Sequence, residues 1–221
     1  MLRWLTALLT CAAANCACAA EVAVDVGHYL EKPGVISASG VAEFEYNKAL
    51  AGVVRDALAQ AGMRVRMIGE KGDFAELDAR PRAARGADLF VSIHHDSVQE
   101  RYLPVAGKFA GFSLFVSRLN PQVKQSLACA SAIGAAMRRA GFTPSRYHAD
   151  PVLGEHRPFA DEENGVHYFD NLAVAKTATM PALLFEAGVI VNPEEDARVS
   201  RPEVRAAIAS AIAQGVSRCL K

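Results

Sequence analysis

The sequence is short of cysteine and carries no surplus of charge, and both shortages narrow what it can do. Of five cysteines in 221 residues, Cys11, Cys16 and Cys18 fall within the first twenty positions. Cys129 and Cys219 remain, both on predicted helices near the core, either as a disulfide or as two buried thiols. Metal ligation by this pair is not expected, because better donors lie elsewhere. Lysine plus arginine total 24 and aspartate plus glutamate total 24. No basic face is therefore indicated for nucleic acid or an anionic membrane. Past residue 20 there is also no Ser/Gly linker, repeat or low-complexity block, so the remainder reads as one domain.

The first residues are different. A single Arg3, a short apolar run and the small-residue cluster Ala17-Cys18-Ala19-Ala20 read as a secretory signal peptide over 1–20, cleaved after Ala19 or Ala20. The run is too short for a comfortable membrane anchor, and no cysteine follows a convincing Leu-Ala-Gly type lipidation sequence. Removing twenty of 221 residues leaves 201, enough for one domain with a sizeable core. The expected location is the periplasm or outside the cell, with no membrane span after cleavage.

Periodicity then predicts an α/β fold. Residues 21–27 alternate as a strand, and a Gly/Pro/Ser loop over 31–40 leads into a helix from about Val41 to Gln60. A strand follows over 63–68, then a short helix through Arg85 opened by an Asp73/Glu76 capping box. Residues 87–93 are mostly apolar, as in a strand covered on both faces. Further strands are expected at 109–116 and 182–185. Helices are expected over 121–139 and after a second capping box at Ser200/Glu203, where Val204, Ile208, Ile212 and Val216 form one stripe. Alternating strands and helices imply a mostly parallel twisted sheet with helices on both faces. Residues 143–171 are mostly polar, with little periodicity. Their His148, His156 and His167 read as solvent-exposed loop residues, with a substrate-groove or regulatory role as the alternative.

Four polar residues stand where such a sheet places ligands, beyond its carboxyl ends. His28, His94 and Glu186 end apolar runs, and Glu43 falls in the first turn of the helix after the first loop. His28 alone is an ordinary polar strand end. Together the four offer two imidazoles and one carboxylate, a common zinc set with a fourth position for water. The other carboxylate is left free for proton transfer.

The blocks Ala23-Val-Asp-Val-Gly-His28, Gly40-Val-Ala-Glu43-Phe-Glu-Tyr-Asn47, Ala87-Asp-Leu-Phe-Val-Ser-Ile-His94-His-Asp96 and Met180-Pro-Ala-Leu-Leu-Phe-Glu186-Ala-Gly-Val-Ile-Val-Asn192-Pro193 resemble the zinc-dependent N-acetylmuramoyl-L-alanine amidases of bacterial cell walls. The resemblance runs in order over nearly the whole chain after residue 20 and is faint between 97 and 170. It implies one zinc ion held by His28, Glu43 and His94, with Glu186 as catalytic carboxylate and peptidoglycan as substrate. The family's ligand glutamate often stands four before an asparagine, which selects Glu43 over Glu45, leaving Glu45 as a solvated helix-start residue. Neighbours on a strand point to opposite faces; the family pattern selects His94 and leaves His95 to pack or support. Asp25 and Asp96 are expected either to hold the imidazoles by hydrogen bonds or to form turns. The chain departs from the pattern at Val26, where the family usually has proline. Some members carry a segment that blocks the site until an activator protein displaces it, so an activator is a candidate partner. The alternatives are a zinc peptidase or deacetylase acting on another wall bond, and an inactive peptidoglycan-binding module.

Overall fold

Val22-Ala-Val-Asp-Val26 alternates so that odd and even side chains enter two different apolar layers, and all five residues are buried. They belong to β1 (Glu21–Val26), an interior strand of a seven-stranded sheet. The computed structural model describes residues 19–221. The expected signal peptide therefore lies almost wholly outside the described residues. The other strands are β2 (Arg64–Ile68), β3 (Leu89–Asp96), β4 (Ser113–Val116), β5 (Phe159–Asp161), β6 (Val166–Tyr168) and β7 (Ala182–Val189). Their order is β2-β1-β3-β7-β4-β6-β5. The run from β2 to β7 is parallel; β4 is antiparallel to β7, β6 is parallel to β4, and β5 is antiparallel to β6.

Three long helices, α1 (Glu43–Gln60), α3 (Val123–Arg139) and α6 (Pro202–Cys219), cover one face of the sheet. Leu50, Val54 and Leu58 recur at helical spacing on α1, and each is fully shielded beside Val24, Val91 and Phe185. Burying one such side chain is worth roughly 1.5–3 kcal/mol, so an aspartate at Val54 would open this layer. Cys129 on α3 is bonded to Cys219 at the end of α6, which decides between a disulfide and two free thiols. The opposite face is thinner. There Ala23, Phe90, Phe115 and Leu184 pack against Val174 and Ala175 of the short α4 (Ala173–Lys176), while α2 (Ala79–Ala83) crosses nearby. The remaining helix, α5 (Pro193–Val199), is capped by the Asn192 side chain, which accepts from the Glu194 N–H. Among the described residues no helix is long and apolar enough to cross a membrane.

Several boundaries differ from the sequence expectation, each for a local reason. The third apolar run does not stop at Phe185: β7 continues to Val189, so Glu186 sits inside a strand rather than at its exit. Neither expected capping box forms. The helix after Asp73 is confined to Ala79–Ala83, and α6 opens with Arg201 at its N-cap because Pro202 takes the first turn, where a missing N–H costs nothing. The strand expected from Phe109 begins only at Ser113, since 3-10 turns occupy Glu100–Lys108 and a positive φ at Gly111 (99°) bends the entry. Residues 143–171 are not a plain polar loop. They supply β5, β6 and a 3-10 turn at Tyr147–Ala149, and they bury His148 and His167. Of the three histidines expected at the surface, only His156 is exposed.

Candidate metal and catalytic site

Alternation along β3 sends Leu89, Val91, Ile93 and His95 toward the thick helical layer and Phe90, Ser92, His94 and Asp96 to the thinner face. Glu43 begins α1, and the loop after β1 brings His28 over the same strand ends. The three meet. His28 Nε2 lies 2.9 Å from Glu43 Oε2, and His94 Nδ1 lies 3.0 Å from Glu43 Oε1. One ligand-capable atom from each residue falls within 4.8 Å of the other two. The imidazole centroids are 4.9 Å apart with the rings tilted 71°.

Glu43 is almost wholly buried and its two oxygens are individually held. Asn47 Nδ2 donates to Oε1 at 3.1 Å, one helical turn away, and the His95 N–H donates to the same oxygen at 3.3 Å. The Val35 N–H reaches Oε2 at 3.4 Å. Burial disfavours the charged form of Glu43, but hydrogen bonds and charge from His28 and His94 outweigh it and hold the carboxyl well below its usual range. Two imidazoles aimed at one fixed carboxylate suit a borderline cation such as zinc. Each imidazole nitrogen already lies about a ligand-pair spacing from a Glu43 oxygen, and all three ligand atoms fall within 4.8 Å of one another, so His28, Glu43 and His94 would hold such a cation together.

Glycine makes the convergence sterically feasible at two places. A Cβ on Gly27 would overlap the His94 ring, and one on Gly34 would strike the Glu43 carboxylate and His28. Gly34 also has φ of 82°, which other residues rarely adopt.

Glu186 stands beside this group, register-paired with His94 on one side and with Ser113 on the other. Its Oε2 is buried and has no hydrogen-bond partner among the described residues. Burial, with the charges of Asp96 and Glu43 adding to it, raises the Glu186 pKa well above that of an ordinary glutamate. A carboxyl with an unpartnered oxygen and a pKa raised toward the working range is suited to general acid and base work.

The neighbours expected to steady the imidazoles act elsewhere. Asp25 touches neither ring: its oxygens accept from Arg80 Nη1 at 2.7 Å and from Ser92 Oγ at 2.6 Å. Asp96 likewise turns from His94 and accepts from His148 Nε2 at 2.7 Å and from the Tyr147 hydroxyl at 3.0 Å. His148 is also 3.1 Å from Glu155 through Nδ1, and Arg157 pairs with Glu155 at 2.9 Å. His95 packs behind the site, where Nδ1 meets Asn47 Oδ1 at 2.8 Å and burial pushes its pKa down to about 3. Glu45 is exposed. Asn47, Arg80, Gly27 and Gly34 were not singled out in the sequence as parts of the site. Asn47 was marked by its place four after Glu43, Gly27 by the block that ends at His28 and Gly34 by the Pro33-Gly34 turn, whereas Arg80 carried no signal.

A cavity of about 350 Å³ opens next to the imidazoles, lined by His28, His94, Tyr29, Lys32, Leu77 and Val174 among others. A larger groove of about 630 Å³ between α1 and α6 lies on the far side and contains none of the four site residues.

A family model described as N-acetylmuramoyl-L-alanine amidase matches residues 22–218. The chain belongs to that family. Among curated amidases, AmiC of Neisseria meningitidis serogroup B is 26% identical over 222 residues, covering 89% of this chain and 52% of the relative. AmiA of Escherichia coli K12 is 28% identical over 225 residues, covering 88% and 74%. The chain thus spans about half the length of the Neisseria amidase. Among solved structures, the catalytic domain of CwlV, an amidase from Bacillus (Paenibacillus) polymyxa var. colistinus, superposes with a TM-score of 0.71 at 26% identity, covering 91% of this chain and 98% of that one. The apo form of the amidase Ami1 from Mycobacterium abscessus gives 0.75 at 22% identity, covering 91% and 99%, a likeness of fold. The matched residues run from β1 into the last turn of α6, and so include His28, Glu43, His94 and Glu186.

Proposed function

We propose that this chain hydrolyses the amide joining the lactyl group of N-acetylmuramic acid to L-alanine of peptidoglycan stem peptides, with one zinc ion held by His28, Glu43 and His94. The observation that carries the reading is the convergence of those three side chains beside a fourth residue, Glu186, one of whose carboxyl oxygens is left without a partner among the described residues. A zinc ion there would polarise the scissile carbonyl and acidify a water molecule. Glu186 accepts the proton as water adds to the carbonyl carbon. It then returns that proton to the alanine nitrogen as the C–N bond breaks, leaving a lactyl carboxylate and a free amine. Glu43 takes no part in proton transfer, because it is committed to the metal and its oxygens are held by the Val35 and His95 N–H groups and Asn47. The cavity beside His28 and His94 gives the substrate a place to lie against the site.

Such a substrate fits export through a signal peptide over residues 1–20 to the periplasm or beyond. It also leaves room for a protein partner that governs activity. One structural relative, the CwlD amidase of Clostridioides difficile, was solved in complex with the GerS lipoprotein.

Digestion of purified sacculi, with and without a chelator, tests the proposal. Mass analysis should find intact stem peptides released from glycan only in the chelator-free reaction. Shortened stems would instead point to a zinc peptidase, deacetylated glycan to a deacetylase, and no release to an inactive wall-binding module.

A further inference from the structure

Arg80 is the largest fully buried side chain among the described residues, and three of the four groups it holds belong to the approach to His28. Nη1 donates to Asp25 Oδ1 at 2.7 Å and to the Val26 carbonyl at 2.6 Å. Nη2 donates to the His28 carbonyl and, at 2.6 Å, to the Phe74 carbonyl. The guanidinium fork thus bridges the carbonyls on both sides of Gly27 and ties them to the loop before α2. Asp25 supplies the counter-charge from within β1, and Ser92 on β3 fixes its second oxygen at 2.6 Å.

What this clamp holds is unusual. His28 has φ of 66°, in the left-handed region that a residue with a side chain enters only at a conformational cost. Such a conformation persists only where the surroundings over-determine it. The ring is partly exposed, and besides Gly34 it meets Glu43 and the tilted His94 ring, members of the same metal group, so its direction is not fixed by packing in the core. The carbonyl contact from Arg80 supplies the missing constraint at the backbone.

Resting on the reading that His28 is a metal ligand, we propose that Arg80, with Asp25 and Ser92 behind it, is the positioning residue that sets zinc affinity, holding the His28 backbone in the one conformation that points its imidazole at Glu43 and His94. The role is indirect: Arg80 reaches the metal site through a peptide carbonyl, not through a ring nitrogen.

The test is the zinc dissociation constant of the purified chain, measured by competition with a chromophoric chelator, alongside the thermal midpoint of the metal-free protein. Arg80→Lys keeps a positive charge for Asp25 but cannot span four acceptors from two nitrogens. It should weaken zinc binding by about tenfold or more, the scale seen when groups behind a metal ligand are removed. Ile212→Ala, in the far helical layer, should lower the thermal midpoint and leave zinc affinity unchanged. Equal weakening in both variants, or wild-type affinity in a folded Arg80→Lys chain, overturns the proposal. If Arg80→Lys does not fold, Ser92→Ala carries the test: zinc binding should weaken severalfold, and wild-type affinity overturns it. His28→Ala separates the two readings, since wild-type zinc affinity in that variant overturns the ligand assignment itself.

Discussion

His94 and Glu186 are register partners on adjacent parallel strands, so both side chains leave the same face of the sheet one strand spacing apart. Their surroundings separate them chemically. His94 faces a carboxylate whose hydrogen-bonding capacity is filled, whereas Glu186 has an oxygen with nothing to bind. Substitution should therefore separate metal binding from turnover. Glu186→Gln keeps the shape and removes the exchangeable proton, so zinc content should stay at wild-type level while amidase turnover falls by about 10²- to 10⁴-fold. Glu43→Gln should do the reverse first, losing zinc. Metal analysis and a dye-release assay on the two variants check this pair, and near-normal turnover by Glu186→Gln would end its assigned role.

The bond between Cys129 and Cys219 closes a loop across a sequence separation of 90 and joins the two helices that cover the same side of the sheet. Removing a native disulfide of this kind typically costs about 2–5 kcal/mol. Cys129→Ala/Cys219→Ala should be less stable than the oxidised parent by about that amount in urea melts, with a lower urea midpoint, and match the reduced parent. Zinc affinity should not change, because the site lies at the other margin of the thick helical layer. Identical urea midpoints for oxidised parent and double variant would mean that the bond does not constrain the unfolded chain.

The parts of the molecule that were legible in the sequence are those set by periodicity. The core strands and the stripes of α1 and α6 follow from apolar spacing, and strand ends drew attention to His28 and His94. The overlooked parts are held by contacts between residues distant in sequence. Arg80 lies in a stretch where nothing in the sequence marks it, and only the fold reveals Asp25 and three carbonyls around it. Residues 143–171 have no apolar period because polar pairing orders them, with His148 between Asp96 and Glu155 and the Tyr147 hydroxyl on Asp96. The extension of β7 past Glu186 was hidden because Ala187-Gly188 resembles a turn, yet the strand is paired there along β3.

His148 gives that polar region a pH signature. Burial acts to lower its pKa, but Asp96 and Glu155 outweigh burial and the net shift is upward from 6.5. A histidine with a raised folded pKa contributes stability that is complete below its unfolded value and is lost as pH rises through the folded value. Glu155 limits the window from below: its hydrogen bond to His148 lowers its pKa from 4.5, so its share is lost as pH falls through the carboxylate range. His148→Gln should therefore destabilise the chain most between about pH 5 and 6.5, and progressively less toward pH 9. Urea melts of both proteins across that range supply the comparison. A stability difference that grows with pH would contradict the charged pairing.

Gly27 offers a test of how tightly the metal group is built. Its backbone is not in the left-handed region, so alanine can adopt it and the substitution carries no conformational penalty of that kind. The obstacle is the His94 ring, which lies where the new methyl would go. Gly62 is the opposite case, with φ of 86° and open space around the missing Cβ. Gly62→Ala should cost roughly 1–2 kcal/mol of stability from its left-handed backbone and leave zinc affinity unchanged. Gly27→Ala should instead push the His94 ring off Glu43 and weaken zinc binding by about tenfold or more. Both effects can be read from one urea melt and one chelator competition per variant. Wild-type zinc affinity in Gly27→Ala would show that the ring can give way without leaving the metal, and that the close packing over Gly27 is not what fixes His94.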